Sequence, residues 1–227
     1  EILYCDGSHC VTGATRHDDQ VLTFTGGVPT WTTRVVLNDV QNPTTAEIWM
    51  NRNLGASQVA TSSTDAASYG DLYQWGRGTD GHEKRTSGTT STLATSDTPG
   101  HGDFITDNDY PQDWRSPKND NLWQGVNGTN NPCPGGYRLP TEAEWNAEYA
   151  SWSSYDAAGA FASVLKLPMA GHRYYGDGTL DAVNIEGHYW SSTISGSNSK
   201  FLYFFNNSLG IFGTPRANGA SVRCIKD

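Results

Sequence analysis

Cys133-Pro-Gly-Gly-Tyr-Arg-Leu-Pro-Thr-Glu-Ala-Glu-Trp145 contains the clearest local structural signal in the chain. Thr141 is a preferred N-cap residue, and Glu144 three positions later completes a capping box. An apolar stripe then follows at the spacing of one helix face, made of Trp145, Tyr149 and Trp152. We therefore predict a helix over residues 141–152, and a second, short helix over residues 156–164.

The composition around this motif excludes several architectures. The 227 residues suit one large domain, or one domain with an appendage. Charged residues make up 17% and aromatic residues 11% of the chain, and 25 residues are glycine. Such a turn-rich, helix-poor composition excludes a helical bundle or a coiled coil. The sequence contains no apolar run of about 18 residues, so we expect no membrane insertion.

The charge balance argues against a nucleic-acid partner. Lys and Arg total 15 and Asp and Glu total 24, which gives a net charge of −9. Nucleic-acid-binding proteins normally carry a basic patch. Because the chain begins at Glu1, we expect a processed form or the C-terminal piece of a longer protein.

The remaining segments alternate between short apolar runs and polar loops. Residues 1–33 differ from the rest, and residues 19–31 predict a strand, a turn and a strand. We interpret residues 1–33 as a connecting segment that could also form a homo-oligomer. Residues 77–132 predict long loops held by single aromatic residues, namely Phe104, Trp114 and Trp123.

Short elements complete the predicted order. Within residues 57–76 we predict a short helix capped by Thr64. Further strands are predicted at 34–38, 47–55, 165–171, 187–193, 201–205 and 220–225. Strands, small helices, long loops and then strands indicate an α+β domain with antiparallel sheets.

Three segments together carry a family resemblance. They are residues 133–145, Gly187-His-Tyr-Trp-Ser-Ser-Thr193 and Arg216-Ala-Asn-Gly-Ala-Ser-Val-Arg-Cys-Ile-Lys-Asp227, with support from residues 47–55 and 69–77. The chain resembles the Fibrobacter major paralogous domain family over residues 34–227. The resemblance implies a C-type lectin fold of the formylglycine-generating-enzyme-like branch.

Within this branch the chain resembles the variable proteins of diversity-generating retroelements. Their variable region opens near a Tyr-Trp-Ser-Ser segment and closes at an Arg-Ala-Asn-Gly-x-Ser-Val-Arg-Cys string, which implies a variable region at about 187–216 here. Such a region displays a surface that binds a protein or glycoconjugate on a cell surface. The implied ligand-binding residues are Ser197, Ser199, Phe201, Tyr203, Phe205, Ser208, Gly210, Phe212, Gly213 and Thr214.

The aromatic residues in this region depart from the Asn and Ser expected of ordinary family members. Phe201, Tyr203 and Phe205 alternate with Leu202 and Phe204, as in a strand with one buried face. Two interpretations remain open: a recognition surface, or an ordinary half-buried strand whose second face is covered by loops. The corresponding alternative function is a surface or secreted structural domain of the same family without variability.

The cysteines favour an exported protein. Cys133 and Cys224 lie in two of the family strings, which implies a disulfide between them; the alternative is a pair of buried thiols. Cys5 and Cys10 could form a local disulfide. Disulfides form in oxidising compartments, so we expect an extracellular, cell-surface or virion location.

An enzymatic function is not expected. Formylglycine-generating enzymes use a reactive cysteine pair near the C-terminus with copper, and only Cys224 lies in the last third of this chain. Cys5 has Asp6 beside it, which disfavours a thiolate. No Gly-x-Ser-x-Gly elbow frames Ser191 or Ser192. The histidines are scattered among predicted loops and are expected to be solvated: His82, His101, His172 and His188.

No cofactor is expected, except possible structural calcium. Two acidic loops contain candidate ligands: Asp103, Asp107, Asp109 and Asp113 in the first, and Asp177 and Asp181 in the second. Neither loop matches the Asp-x-Asp-x-Asp-Gly pattern, and aspartates in turns commonly accept hydrogen bonds from their own backbone.

Overall fold

The helix predicted from the capping box forms in the computed structural model of the protein. Helix α1 spans Glu142–Ala150, with Thr141 as its N-cap. The Thr141 hydroxyl accepts a hydrogen bond from the Glu144 amide, and the Glu144 carboxylate accepts one from the Thr141 amide at 2.7 Å. Helix α2 spans Ala157–Ala162 and is capped by Asp156. Both helix predictions are confirmed, with slightly shorter bounds.

The structure describes residues 39–227 throughout, and before them the backbone of four strands. The chain divides into two compact units, Glu1–Asn38 and Asp39–Asp227, whereas the sequence suggested a division after residue 33. In the first unit, β1 (Tyr4–Cys5) pairs with β2 (Cys10–Val11), and β3 (Gln20–Thr25) pairs with β4 (Val28–Thr33), both antiparallel. The strand predicted at 34–38 lies outside the described residues.

The second unit consists mostly of short antiparallel strands. In chain order they are β5 Asp39–Gln41, β6 Ile48–Met50, β7 Tyr73–Gln74, β8 Thr89–Thr90, β9 Phe104–Ile105, β10 Tyr137–Arg138, β11 His172–Arg173, β12 Leu180–Asp181, β13 Gly187–Ser195, β14 Asn198–Phe205, β15 Ser208–Thr214, β16 Gly219–Ala220 and β17 Ile225–Lys226. A 3₁₀ helix spans Ala66–Ser68. The mixed α+β class with few helices is therefore confirmed.

Three sheets organise this unit. Their strand orders are β10-β17-β6-β5, β12-β11-β16-β7 and β13-β14-β15. Strands β8 and β9 form a separate parallel pair. The C-terminal string lies inside the first two sheets, because β17 pairs with both β10 and β6, and β16 pairs with both β11 and β7.

The main core lies between the two helices and one face of the β13-β14-β15 sheet. Its members are Trp49, Trp145, Trp152, Ala157, Ala160, Leu165, Leu167, Met169, Tyr189, Leu202, Phe204 and Ile225. Burying each large apolar side chain stabilises the fold by about 1.5–3 kcal/mol. The indole N–H of Trp145 also donates to the Trp190 carbonyl at 3.1 Å, which joins α1 to β13.

The long loops are held as predicted. Phe104, Trp114 and Trp123 are all buried. The indole N–H of Trp114 donates to the Trp75 carbonyl at 2.7 Å, and that of Trp123 donates to the Asn130 carbonyl at 2.8 Å. Each indole therefore satisfies its one polar atom while it fixes a segment that has little regular structure.

Three predicted elements are wrong in detail. The helix predicted within 57–76 is only one 3₁₀ turn, and its cap is Asp65 rather than Thr64. Residues 165–171 form no strand; Lys166 and Gly171 have positive φ angles, and the Leu167 amide bonds to the Ala160 carbonyl. The strand predicted at 220–225 is divided into β16 and β17.

Candidate functional site

The residues predicted to bind ligand lie mainly on one face of the β13-β14-β15 sheet. Leu202 and Phe204 point into the core, and Ile211 and Leu209 opposite them pack against it. Because side chains alternate across a strand, the residues between them point the other way. We call this second side the outer face; it carries His188, Trp190, Phe201, Tyr203, Phe205, Ser208, Gly210, Phe212 and Thr214.

Strand register brings the rings of the outer face into contact. Tyr203 lies between His188 and Gly210, while Phe201 pairs with Phe212 on the neighbouring strand. The Tyr203 ring centroid lies 5.1 Å from that of His188, 5.7 Å from that of Phe205 and 6.0 Å from that of Phe212. Aromatic pairs at these separations are mutually attractive, so the rings form one continuous cluster.

Exposure decreases from the edge strand towards the middle of the sheet. Phe212 on β15 is 50% exposed, whereas Phe201 on β14 is only 7% exposed. Tyr203 and Phe205 are half-buried. The prediction that Phe201 is displayed therefore needs correction. The His188 ring stacks on Phe201 with 5.3 Å between centroids, and the Trp190 ring lies edge-on to it at 6.3 Å. Phe201 is thus a buried member of the aromatic cluster.

Gly210 makes room for the exposed ring. A Cβ atom at this position would lie 2.8 Å from the Phe212 ring, which is closer than real side-chain contacts allow. The Phe212 ring therefore lies over the backbone of Gly210. The absence of a side chain at Gly210 thus leaves the space that the ring occupies.

The smaller predicted residues fall into two groups. Ser197, Ser208, Gly213 and Thr214 are partly or fully exposed. Ser199 is completely buried, and its hydroxyl accepts a 3.1 Å hydrogen bond from Arg216 Nε. Ser199 thus holds Arg216 of the C-terminal string. The prediction that Ser199 binds ligand needs correction, because its side chain is not accessible.

The C-terminal string, residues 216–227, is fixed by two buried arginines. Arg216 is buried, stacks on the Trp75 ring at 4.5 Å and donates to Asp120 at 2.7 Å. Arg223, also buried, donates to Asn53 at 2.8 Å and to the Leu165 carbonyl at 2.7 Å. These charge-assisted hydrogen bonds connect the string to loops far away in sequence.

The disulfide implied by the family strings is present. Cys133 and Cys224 are bonded, with 6.0 Å between their Cα atoms and a sequence separation of 91. It connects the segment before β10 to the segment before β17. In the first unit, Cys5 and Cys10 face each other in the β1-β2 register; their side chains lie outside the described residues.

A polar cluster that the sequence reasoning missed adjoins the outer face. The Tyr203 hydroxyl donates to Glu186 at 2.7 Å, and Glu186 contacts His188 Nε2 at 2.8 Å. His172 lies against His188, with 4.4 Å between ring centroids. Histidines 172 and 188, expected to be separate and solvated, are therefore adjacent, with side chains only 14% and 12% exposed.

Burial controls the protonation of this cluster. Desolvation, helped by the neighbouring His172, lowers the pKa of His188 to about 4. Desolvation also lowers the pKa of His172. The pKa of Tyr203 is raised to about 12 by burial and by its hydrogen bond to Glu186. At neutral pH both imidazoles are uncharged and Tyr203 is a hydrogen-bond donor.

The predicted calcium ligands mostly hold their own loops. Asp107 accepts hydrogen bonds from the amides of Asp109 and Asp113. Asp177 accepts from the Thr179 amide and hydroxyl, and Asp181 from the Ala182 amide. The Asp103 carboxylate lies against Gly88, where an added Cβ atom would come within 2.6 Å of it. Within residues 39–227, groups of potential metal ligands converge elsewhere, at His172, Glu186 and His188 and at Asp80, His82 and Glu83.

No family model matches this chain, and neither the curated proteins nor the solved structures give a match.

The prediction that the chain does not insert into a membrane can be compared with the helices of the structure. In the part of the chain that the structure describes, no helix has the length and apolar character needed to cross a bilayer.

A signal for the His172–Glu186–His188 cluster was present in the sequence, since Glu186 and His188 have the spacing of same-side residues on a strand. Nothing local indicated that His172 would join them.

Proposed function

We propose that the protein is a non-enzymatic ligand-binding protein that displays a diversified surface on a C-type lectin scaffold, as in variable proteins of diversity-generating retroelements. The observation that carries the proposal is the outer face itself. Its rings gather on one side of the β13-β14-β15 sheet and end at the half-exposed ring of Phe212. An exposed aromatic group with polar neighbours is typical of a recognition surface.

The chemistry of the outer face suits binding with little ordering cost. Aromatic side chains offer large contact areas while few rotatable bonds are immobilised. Ring contacts already hold Tyr203 between Phe205 and Phe212 before any ligand arrives. Ser208 and Thr214 at the margins add small hydrogen-bonding groups. Preorganisation of this kind raises affinity because less conformational entropy is lost on binding.

The scaffold separates the variable strands from the elements that secure the fold. Substitutions at Phe205 or Phe212 leave Leu202 and Phe204 in the core untouched, because they lie on opposite faces of the sheet. The buried arginines and the Cys133–Cys224 disulfide lie outside the variable strands. Diversity on the outer face is therefore compatible with one stable fold.

The partner proposed is a protein or glycoconjugate on a cell surface, with the protein located outside the cell, on the cell surface or on a virion. The disulfide supports an oxidising compartment. A remote alternative is a formylglycine-generating-type oxidase. Cys224 is fully buried and is bonded to Cys133, which leaves it unsuited to attack a substrate.

A second candidate is a structural domain of the same kind without variability. The half-buried state of Tyr203 and Phe205 favours it, since ordinary strands also carry such residues. The coding DNA distinguishes the two. A near-repeat of the 187–227 coding sequence, with adenines at the variant positions and beside a reverse transcriptase gene, supports diversification; its absence supports the structural domain.

Binding itself is tested with paired surface variants. The full chain, F212S and Y155S are applied to a glycan array and to immobilised bacterial surface-protein fractions. Tyr155 is 60% exposed and lies outside the outer face, so it matches Phe212 in exposure. Signals retained by Y155S and lost by F212S support the proposal. Equal signals from F212S and the unchanged chain contradict it.

A further inference from the structure

His172, Glu186 and His188 converge because two backbone segments meet. Gly171 and Gly187 form a parallel β-bridge, and the Gly171 amide donates to the Glu186 carbonyl at 2.9 Å. This bridge places the residue after Gly171 beside the two residues that flank Gly187. Backbone hydrogen bonding between the two segments therefore sets the positions of the three residues.

The three side chains offer convergent ligand atoms. Each supplies one nitrogen or carboxylate oxygen, and these atoms all lie within 4.8 Å of one another. The His188 Nε2–Glu186 Oε2 distance is 2.8 Å. The two imidazole rings are tilted by only 30°. Small side-chain rotations would bring all three atoms to the distances of about 2.0–2.2 Å that a bound metal needs.

The cluster also contains an unsatisfied polar atom. His172 Nδ1 is buried and makes no hydrogen bond to any part of the chain that the structure describes. The other nitrogen of His172, Nε2, is 4.0 Å from Asp181, which is beyond hydrogen-bond distance. A buried imidazole nitrogen without a hydrogen-bond partner is unfavourable by itself. A metal ion would satisfy it.

We propose that His172, Glu186 and His188 form a Zn²⁺ site at the margin of the outer face. Two imidazoles and one carboxylate are ligands that zinc commonly takes, and they leave one tetrahedral position for water or another donor group. The site does not depend on the proposed ligand-binding function, because His172 and Glu186 precede β13, His188 is its second residue, and none of the three is among the residues predicted to bind ligand.

Tyr203 provides the outer support that such sites require. Its hydroxyl holds Glu186 Oε1 at 2.7 Å, while Oε2 faces His188. The carboxylate is thus oriented with one oxygen towards the cluster. Hydrogen bonds of this kind to a ligating group tune metal affinity.

The second convergent group has a different character. In the group Asp80, His82 and Glu83, His82 Nε2 accepts a hydrogen bond from the Gln74 amide at 3.0 Å, and His82 Nδ1 contacts Asp80 at 2.7 Å. Both ring nitrogens are already used. This group is therefore a closed hydrogen-bond network, which makes His172, Glu186 and His188 the better metal site.

The experiment titrates the untagged full chain with Zn²⁺ against a chromophoric chelator. It compares H172Q, H188Q and, as a matched control, H101Q in the 77–132 loop region. We expect one zinc ion per chain and unchanged affinity in H101Q. In H172Q and H188Q we expect an affinity more than tenfold lower, because loss of a residue that only supports a ligand already costs about 10–100-fold. Uptake that is equal in all four proteins, or no stoichiometric uptake by the unchanged chain, would overturn the proposal.

A second measurement avoids any dependence on variant folding. Long-range ¹H–¹⁵N spectra of the unchanged chain are recorded with and without one equivalent of Zn²⁺. We expect the ring nitrogens of two histidines to shift together, and H101Q to retain both shifted sets. Shifts confined to other histidines would place the metal elsewhere and overturn the proposal. Failure of ligand binding on the arrays leaves these results unaffected.

Discussion

Tyr203 links the aromatic cluster to the histidine cluster: its ring lies among Phe205 and Phe212, and its hydroxyl donates to Glu186 at 2.7 Å. One residue thus belongs to both the aromatic cluster and the polar group beside it. A substitution at position 203 can therefore alter the aromatic cluster through the ring, or the histidine cluster through the hydroxyl.

Replacement of Tyr203 by Phe removes the hydroxyl and keeps the ring. We expect the free energy of unfolding to fall by about 1.5 kcal/mol, because Glu186 loses a hydrogen bond to its carboxylate. Urea unfolding measures this change. Y155F, which alters an exposed tyrosine, is the control and should change stability by only a few tenths of a kcal/mol. Equal stabilities of Y203F and Y155F would refute the expectation.

Replacement of Gly210 by Ala should move the ring of Phe212. The new Cβ would lie 2.8 Å from that ring, and an exposed ring can rotate away at a cost of about 1 kcal/mol or less. We expect the aromatic resonances of Phe212 to shift in NMR spectra. A Cβ atom added at Gly135 would meet no other atom within 4 Å, so G135A is the control. Unchanged Phe212 resonances in G210A would show that the ring does not depend on Gly210.

Removal of the disulfide should destabilise the scaffold. Cys133 and Cys224 close a loop with a sequence separation of 91, for which the loss of chain entropy in the unfolded state corresponds to about 4.6 kcal/mol. We expect C133A/C224A to unfold at lower urea concentration by roughly this free energy. A loss below about 1 kcal/mol would mean that the buried arginines hold the C-terminal string without the covalent bond.

Asp113 should make stability depend on pH. Burial raises its pKa from 3.8 to about 6, although Arg216 and Arg115 oppose this effect and Asp107 adds to it. The folded state therefore binds more protons than the unfolded state between these pH values. Asp113 therefore contributes most to the free energy of unfolding below about pH 4. This contribution falls by on the order of 2–3 kcal/mol as the pH rises through 6.

The pH effect is measured by urea unfolding of the unchanged chain and D113N at pH 4 and pH 7. Asparagine can still accept the hydrogen bond that Asp113 accepts from the Arg115 amide at 3.1 Å. We expect D113N to gain stability relative to the unchanged chain as the pH rises. A constant difference between the two proteins would show that folding does not shift the pKa of Asp113.

Local signals predicted the elements that depend on neighbouring residues. The capping box of Thr141 and Glu144 needs only backbone groups within one turn, so α1 forms where predicted. Strand alternation likewise separated Leu202 and Phe204 from Tyr203 and Phe205. The strand predicted at 165–171 failed because its amides bond outside any sheet, as Leu167 does to Ala160 in α2 and Met169 does to Ser63 in a distant loop.

The sequence of β14 alone does not indicate which residues of the outer face are exposed. Alternation alone places Ser199 and Phe201 beside the exposed residues. Arg216 covers the first, and His188 and Trp190 cover the second. These covering groups come from other strands and from the C-terminal string. Burial therefore cannot be deduced from the strand that carries the residue.

The sequence by itself determined the α+β class, the capped helix and the side of β14 to which each side chain points, since these depend on local hydrogen bonding and on the two-residue period of a strand. Only the tertiary structure decided which of those side chains remain exposed, and that His172 meets Glu186 and His188. Both outcomes follow from contacts between segments far apart in the chain, such as the bridge between Gly171 and Gly187. Such contacts depend on how whole sheets pack together.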